Sequence, residues 1–411
     1  MGTALHIAKR LSIKSKRRFS RFITRLTIVA VTLSTAAMIV AICMVQGFTL
    51  QIKDRIFGFW GHAEIVSNEN NDNYEPTAIE EDKKLIQTLK KHPNISHISE
   101  FVIKSGIIKT KKDIEGIILK GVNNTYDWTF LQQYIKEGTL PRINKDSSLQ
   151  YRDILISTST ANRLQLQVKD KLIIYFIQKG QSQPIGRKFE VCGLYHTGLE
   201  EYDIKYALTD MNIIRQLNRW SSTTIHGYEI TSKDWRHFEP TVDYIYRNLL
   251  PNSLDIYTIQ EKYPNIFDWL TLQNRTSAFA LFLLIIIAAF NIITAFLLII
   301  IDNIKFIGTL KSLGANTNYI KKIFIYKTLI IIIIGMAIGN ILGLGICILQ
   351  KYYGIIHLNE ENYYFSIAPV EIQFLPILLT NLIIFLCSVL ALLVPSNIIS
   401  KITPIKILRF D

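Results

Sequence analysis

Along this 411-residue chain, apolar and polar positions are distributed unevenly. Four stretches without an Asp, Glu, Lys or Arg occupy residues 28–47, 277–301, 328–349 and 372–394. A helix rises about 1.5 Å per residue, so about 20 residues cross a hydrocarbon core about 30 Å thick, and each stretch reaches that length. A charged side chain at mid-membrane costs about 2.5–3.5 kcal/mol, and none of the four carries one. The pattern predicts four transmembrane helices, with residues 51–276 forming a separate domain between the first and the second.

Inside 51–276 the period changes. Helical spacing is found in 79–91 and 241–249, whereas short β-branched runs at 107–109, 116–119, 154–157, 172–177 and 189–195 read as strands. Pro93, Pro141, Pro184, Pro240, Pro251 and Pro264 punctuate the segment as turns or boundaries. Its length suits its own core and two subdomains. The runs starting at Leu172 and Phe189 flank a polar stretch whose Gly180, Pro184 and Gly186 are turn formers, which predicts a hairpin with a basic tip bearing Lys179, Arg187 and Lys188. Residues 51–59 and 269–276 carry no break signal and are expected to continue the neighbouring spans as a helical stalk. Trp60 and Trp269 read alternatively as interface anchors.

Charge gives an orientation. Lys9, Arg10, Lys14, Lys16, Arg17, Arg18, Arg21 and Arg25 precede the first span, Lys305, Lys311, Lys321, Lys322 and Lys327 follow the second, and Lys401, Lys406 and Arg409 close the chain. Short basic loops stay in the cytosol, so both termini and the loop after the second span are expected there and the large domain outside. The formal charge of +13 has the same origin: residues 51–276 hold 29 Lys and Arg against 28 Asp and Glu, and the excess lies in the membrane part. A nucleic-acid surface should be a basic patch on a folded domain, and the one large domain is nearly neutral, so no nucleic-acid partner is expected. Leu5, Ile7, Ala8 and Leu11, among the first basic residues, suggest a short helix lying on the inner leaflet. The first apolar stretch runs into Gln46, Gly47 and Phe48 with no small-x-small site and reads as an uncleaved helix.

Little in the chain points to catalysis. Cys43, Cys347 and Cys387 lie in spans, which leaves Cys192 alone in the large domain and no disulfide framework. His196 with Glu200, Glu201 and Asp203 is the nearest approach to a metal cluster, but its spacing fits no ligand set and no metal is expected. There is no nucleophile elbow, and residues 180–188 lack the Gly-Lys-Ser/Thr ending that would cradle a nucleotide. Within the spans, Gly335, Gly339 and Gly343 recur every fourth residue along one helix face and predict close helix packing. Asn291 places an amide in hydrocarbon, where a hydrogen bond to a neighbouring helix is worth about 0.6–2 kcal/mol. No span carries the ionised residues of an ion path.

The loop after the second span reads DNIKFIGTLKSLGANTNYIKKIFIYKTLI from Asp302. It resembles the coupling signature of FtsX-like ABC transporter permeases, whose core here is Ile307, Gly308, Leu310, Lys311, Leu313, Gly314 and Ala315. The resemblance narrows to the lipoprotein-releasing, LolC/LolE-type branch. Its marks are ALHIAKRLSIKSKRRFSRFIT from Ala4, MVQGF from Met44, ILKGV from Ile118, CGLYHTGLEEYD from Cys192, AAFNIIT from Ala288, NYYFSIAPVEI from Asn362 and TPIKILRFD from Thr403. Phe306 and Ile304 depart from the pattern, standing where the family usually has an acidic and a basic residue.

The resemblance implies a MacB/FtsX-like permease fold: an α-helical membrane domain of four transmembrane helices, with a large mixed α/β periplasmic domain between helices 1 and 2. The expected division is a basic cytosolic segment 1–25, helix 1 at 26–50, the periplasmic domain 51–276, helix 2 at 277–301, a coupling segment 302–322, helix 3 at 323–349, a periplasmic loop 350–370, helix 4 at 371–394 and a cytosolic tail 395–411. The implied role is a non-catalytic subunit in the bacterial inner membrane that transmits ATPase motion and releases lipoproteins to a periplasmic chaperone. Its partners would be a cytosolic ABC ATPase, a second permease copy or sister permease, that chaperone, lipoprotein substrates and membrane lipid. ATP and Mg would belong to the ATPase, with no cofactor on this chain. The coupling core would dock through Leu310 and Leu313. Gln178, Lys179, Gly180, Gln181, Ser182, Gln183, Pro184, Ile185, Gly186, Arg187 and Lys188 would form the chaperone hook. Met44, Phe48, Ile52 and Phe279 would line an acyl cavity, while Asn291 and the three glycines would pack helices. The alternatives are a MacB-like efflux permease and an FtsX-like signalling permease that controls a cell-wall hydrolase.

Overall fold

The computed structural model describes residues 18–69, 77–110, 113–144, 151–177, 183–359 and 365–401. The inner-leaflet helix expected near Leu5, the hook residues Gln178, Lys179, Gly180, Gln181 and Ser182, and the motif from Thr403 lie outside these residues. The chain divides into two compact units. One comprises Met1–Gln51, Trp269–Leu358 and Ser366–Asp411, the other Ile52–Asp268 and Asn359–Phe365.

In the first unit, four helices are long and apolar enough to cross a membrane among the described residues. They belong to helices Arg18–Trp60, Pro264–Asp302, Thr317–Tyr353 and Phe374–Ser396, here called helices 1 to 4. Helix 3 starts where the Asn316 side chain accepts from the Asn318 N–H and stops at Gly354, whose φ of +57° suits the residue without a Cβ. Its glycines let helix 1 approach. A Cβ at Gly335 would lie 2.8 Å from Val31, at Gly339 2.7 Å from Thr35, and at Gly343 3.0 Å from Ile39. Thr32 Oγ1 donates to the Gly335 carbonyl across the same contact at 3.1 Å. Helices 3 and 4 are tied by a reciprocal amide pair, Asn340 to Asn381 at 2.8 Å and back at 2.9 Å. Phe296, Ile307, Ile320, Phe324, Ile332 and Leu392 form the buried centre of this unit.

The second unit contains β1 (Ala63–Ser67), β2 (Ile79–Glu80), β3 (Ile95–Lys109), β4 (Ile114–Val122), β5 (Ile135–Gly138), β6 (Asp153–Ser157), β7 (Lys171–Phe176), β8 (Ile185–Tyr195), β9 (Tyr206–Asp210), β10 (Thr224–Ile225), β11 (Gly227–Ser232) and β12 (Leu254–Thr258). Among the described residues, ten strands form one sheet in the order β12-β1-β11-β3-β4-β9-β6-β8-β5, and β7 bonds to both β3 and β8. That double pairing closes β3-β4-β9-β6-β8-β7 into a ring. The core of the ring combines Ile108, Leu119, Ile154, Phe176 and Val191 with Ile214 from helix Met211–Asn218.

The long strand β3 borders two hydrophobic cores. Residues 95–101 pair with β11 and residues 101–109 with β4. The first half contributes to a separate core of Ile65, Leu85, Leu89, Tyr228, Ile230 and Ile245, which includes residues of helices Lys83–Lys90 and Glu239–Asn248. Helix Lys83–Lys90 is nucleated by Asp82, which accepts from the N–H groups of Lys84 and Leu85 at 2.8 and 3.0 Å, and it buries Leu85 and Leu89 one turn apart.

Candidate coupling, hairpin and joint sites

The coupling segment forms helix Ile304–Ser312, and Leu313 ends it as the C-cap. Gly314 follows with a φ of +82° and open space where a Cβ would stand, so backbone conformation rather than crowding selects glycine there. Ile307 and Gly308 are buried. Leu310 packs against Ile323, and Ala315 and Phe306 against the centre of the membrane unit. Lys311 Nζ donates to the carbonyls of Ile399 at 2.9 Å and Ser400 at 3.3 Å, which holds the last short helix, Ile398–Lys401, against the segment. Leu313 is 78% exposed. Leu310 and Leu313 therefore face differently: the first is turned into its own unit, and the second, past the end of the helix, is exposed. Phe306, apolar where the family pattern is acidic, fits the same inward packing.

The hairpin also differs from its sequence outline. β8 begins at Ile185 rather than Phe189, with Phe176 opposite Ile185, Tyr175 opposite Gly186, Ile174 opposite Arg187 and Ile173 opposite Lys188. Ile185, Gly186, Arg187 and Lys188 thus lie in the ladder instead of the tip. Gln183 and Pro184 precede it and are exposed.

Of the expected acyl residues, Met44 and Phe48 are half-buried, Ile52 is buried and Phe279 is exposed. Phe48 lies tilted beside Trp269, ring centres 5.8 Å apart, and Thr49 Oγ1 donates to Asn274 Oδ1 at 2.9 Å, so helices 1 and 2 meet at this level. A cleft of about 670 Å³ in the α/β unit is lined by other residues, among them Glu81, Glu100, Asn123, Asn144 and Arg215, and is too polar to suit an acyl chain. Asn291 was expected to pack against another helix, but its side chain is exposed on helix 2. Two of the motifs quoted above meet: a Cβ at Gly47 would lie 2.7 Å from the Pro369 carbonyl, and the Glu371 N–H donates to the Cys43 carbonyl at 3.0 Å.

His196 Nδ1 lies 3.0 Å from Asp203 Oδ2. The same carboxylate accepts from the Thr197 hydroxyl at 2.6 Å and the Gly198 N–H at 3.1 Å, so it latches a loop. Among the described residues no three His, Cys, Asp or Glu side chains are placed to hold a metal.

Sequence reasoning missed a buried ionic cluster in the α/β unit. Glu64 on β1 stands directly opposite Glu229 on β11. Lys120 from β4, fully buried, lies 2.7 Å from Glu229 and donates to the Phe59 carbonyl at 2.6 Å, while Lys262 pairs with Glu64. Trp60 separates the two cations, its ring 4.4 Å from Lys120 Nζ and 4.9 Å from Lys262 Nζ, and is itself buried rather than an interface anchor. Burial pushes the Glu229 carboxyl up to about 7 despite Lys120, and burial likewise lowers the Lys120 ammonium. Tyr202, Tyr206 and Tyr263 surround the Trp60 ring with centres 5.0–6.5 Å away. The signal available in sequence was a Glu inside each of two short strands.

Residues 278–404 match the family model described as FtsX-like permease C-terminal, a stretch that contains the helix Ile304–Ser312. That match, to a membrane-permease family, agrees with the four candidate spans among the described residues. Its similarity to named proteins extends well beyond that stretch. It is 22% identical to the lipoprotein-releasing system transmembrane protein LolC of Xylella fastidiosa (strain Temecula1), covering 97% of each chain. With LolE of Haemophilus influenzae it shares 23% identity over 96% of each, and with LolC of Neisseria meningitidis serogroup B 23% over 98% of this chain and 97% of that one. The LolC/LolE-type resemblance read from the motifs is thus matched across nearly the whole chain. Among solved structures, the extracellular domain of the ABC-type transporter YknZ covers 47% of this chain and 98% of its own at 14% identity and a TM-score of 0.33. The periplasmic region of MacB from Actinobacillus actinomycetemcomitans covers 50% and 91% at 13% identity and a TM-score of 0.34.

Proposed function

We propose that this chain is the permease subunit of an inner-membrane ABC transporter that releases lipoproteins to a periplasmic chaperone, driven by a separate ATPase. The observation that carries the reading is the extent of the similarity to LolC and LolE, which takes in the α/β unit as well as the membrane helices. Positive-inside charge supports placing the α/β unit in the periplasm and the coupling helix in the cytosol. Each acyl methylene held in a bilayer contributes about 0.8 kcal/mol, so a multiply acylated anchor needs driven extraction. Closure of two ATPase subunits would push on Leu313 and its neighbours, and helices 1 and 2 would carry the motion outward. The exposed Asn291 amide would find its hydrogen-bond partner on a second permease copy or a sister permease. ATP and Mg would be held by the ATPase, and this chain would not hydrolyse ATP.

Three measurements test the reading. Crosslinkers at Gln183 or Pro184 should trap a soluble periplasmic chaperone, and deletion of residues 180–185 should leave lipoproteins in the inner membrane while the chain still inserts and binds its ATPase. Normal lipoprotein sorting by a well-expressed deletion variant would instead favour efflux. Leu313→Asp puts a charge on an exposed side chain, so chain stability should change by less than about 0.5 kcal/mol while co-purification of the ATPase is lost. Retention of the ATPase would remove Leu313 from the contact.

A further inference from the structure

Four buried or half-buried charges meet where helix 1 ends and just before helix 2 begins. Lys120 holds the carbonyl of Phe59, in the last turn of helix 1, and Lys262 lies two residues before Pro264, the first residue of helix 2. Both cations pair with carboxylates on adjacent strands, Glu229 on β11 and Glu64 on β1. Like charges directly opposite on neighbouring strands repel, so each cation is needed to keep the other pair in place. Apolar contacts around Trp60 are non-directional and would permit a helix end to slide or turn. A buried ammonium held by a carbonyl and a carboxylate does not permit this, because movement would strand a charge in a low-dielectric interior.

We propose that Lys120, Glu229, Glu64 and Lys262 form a joint that fixes the ends of helices 1 and 2 to one point of the sheet, making Lys120 a positioning residue for force transmission. This rests on the transport reading above only for the use made of the motion. The joint itself is a property of the α/β unit. Lys120 serves two elements at once: it caps a helix carbonyl left without an intrahelical donor and neutralises the sheet. Lys262 completes the arrangement from the short helix Ile259–Lys262 that precedes helix 2, with its ring contact to Trp60 linking the two pairs. Rotation of either helix would then turn the β1 and β11 strands with it.

The test uses the full chain in detergent and in its ATPase complex, with the four native cysteines replaced by alanine and spin labels at Asp54 on helix 1 and Lys171 on β7. Lys120→Met with Glu229→Gln removes one pair without leaving a net charge, and Lys262→Met, at a side chain 31% exposed, provides a second variant should the first fail to fold. The parent should give a single narrow distance with and without ATP. The variants should give distributions about twofold broader and about tenfold fewer lipoproteins released per ATP hydrolysed, with hydrolysis and assembly retained. Unchanged widths would overturn the joint, and broadened widths with normal release per ATP would overturn its positioning role. If the parent released no lipoprotein while the widths still broadened in the variants, the transport reading would fail and the joint would stand.

Discussion

The membrane unit and the α/β unit solve the burial of polar groups in opposite ways. In the first, several polar side chains are answered locally: Asn340 and Asn381 exchange amide hydrogen bonds, Thr32 reaches a backbone carbonyl, and glycines bring helix 1 against helix 3. In the second, two carboxylates and two ammonium groups are gathered in an aromatic surround next to apolar cores. Lipid tails are as apolar as leucine, so helices in a bilayer gain little from hydrophobic contact and depend on close approach and hydrogen bonds. A domain in water gains enough from apolar burial to tolerate a costly charge cluster. Packing faults should therefore act through lost transfer energy in one unit and through steric separation in the other.

The largest expected effect lies in the ring. Phe176 is fully buried among Ile108, Ile174 and Phe189, and Phe176→Ala should cost about 3–5 kcal/mol, read as a drop in the melting temperature of the α/β unit. A shift of only a degree or two would mean that the ring collapses around the gap. Gly339→Leu comes next. Its side chain has no room beside Thr35 and the Thr32 carbonyl, and overpacking of about 1–3 kcal/mol should separate helices 1 and 3, measurable by crosslinking between them. Crosslinking at the parental rate would show that this contact adapts.

The third prediction separates the units by pH. His226, 2% exposed, accepts the Ile103 N–H on Nδ1 at 2.8 Å, and burial, with help from Lys104, holds its pKa down at about 3. An unfolded histidine takes up a proton near pH 6.5 while the folded one does not, so its contribution is complete above pH 6.5 and is lost as pH falls toward 3. One pH unit within that window should destabilise the α/β unit by about 1.4 kcal/mol. His226→Asn, which can offer an amide oxygen to Ile103, should flatten this acid limb. Parallel melting curves for variant and parent between pH 6 and pH 5 would assign the acid sensitivity elsewhere.

The legibility of the sequence follows the same division. The spans were readable because a run of about 20 uncharged apolar residues has one physical use. The segment after the second span was legible as a motif, but its helix end was not: the helix stops at Ser312, so Leu310 lies within it and Leu313 just past it. In the α/β unit, β7 and β8 were found through alternation and turn residues. β1 and β11 were missed because Glu64 and Glu229 interrupt them, and a buried strand with a central carboxylate reads as a loop until its cation is known. Closure of the ring was beyond local pattern, since the described β3–β7 pairing, Ile107 with Tyr175 and Ile108 with Ile174, joins positions far apart in the chain.

The fifteen-residue strand β3 makes the α/β unit a poor candidate for modular exchange. Subdomains connected by a linker can be cut, swapped or duplicated, each keeping its own sheet. Here Phe101 faces Gly227 on one side and Val122 on the other within a single sheet, so a breakpoint at that residue would take an internal strand from both cores. Recombination that preserves folding should instead fall outside β3 altogether, and a chimaera joining one subdomain to a foreign partner would have to bring its own copy of that strand.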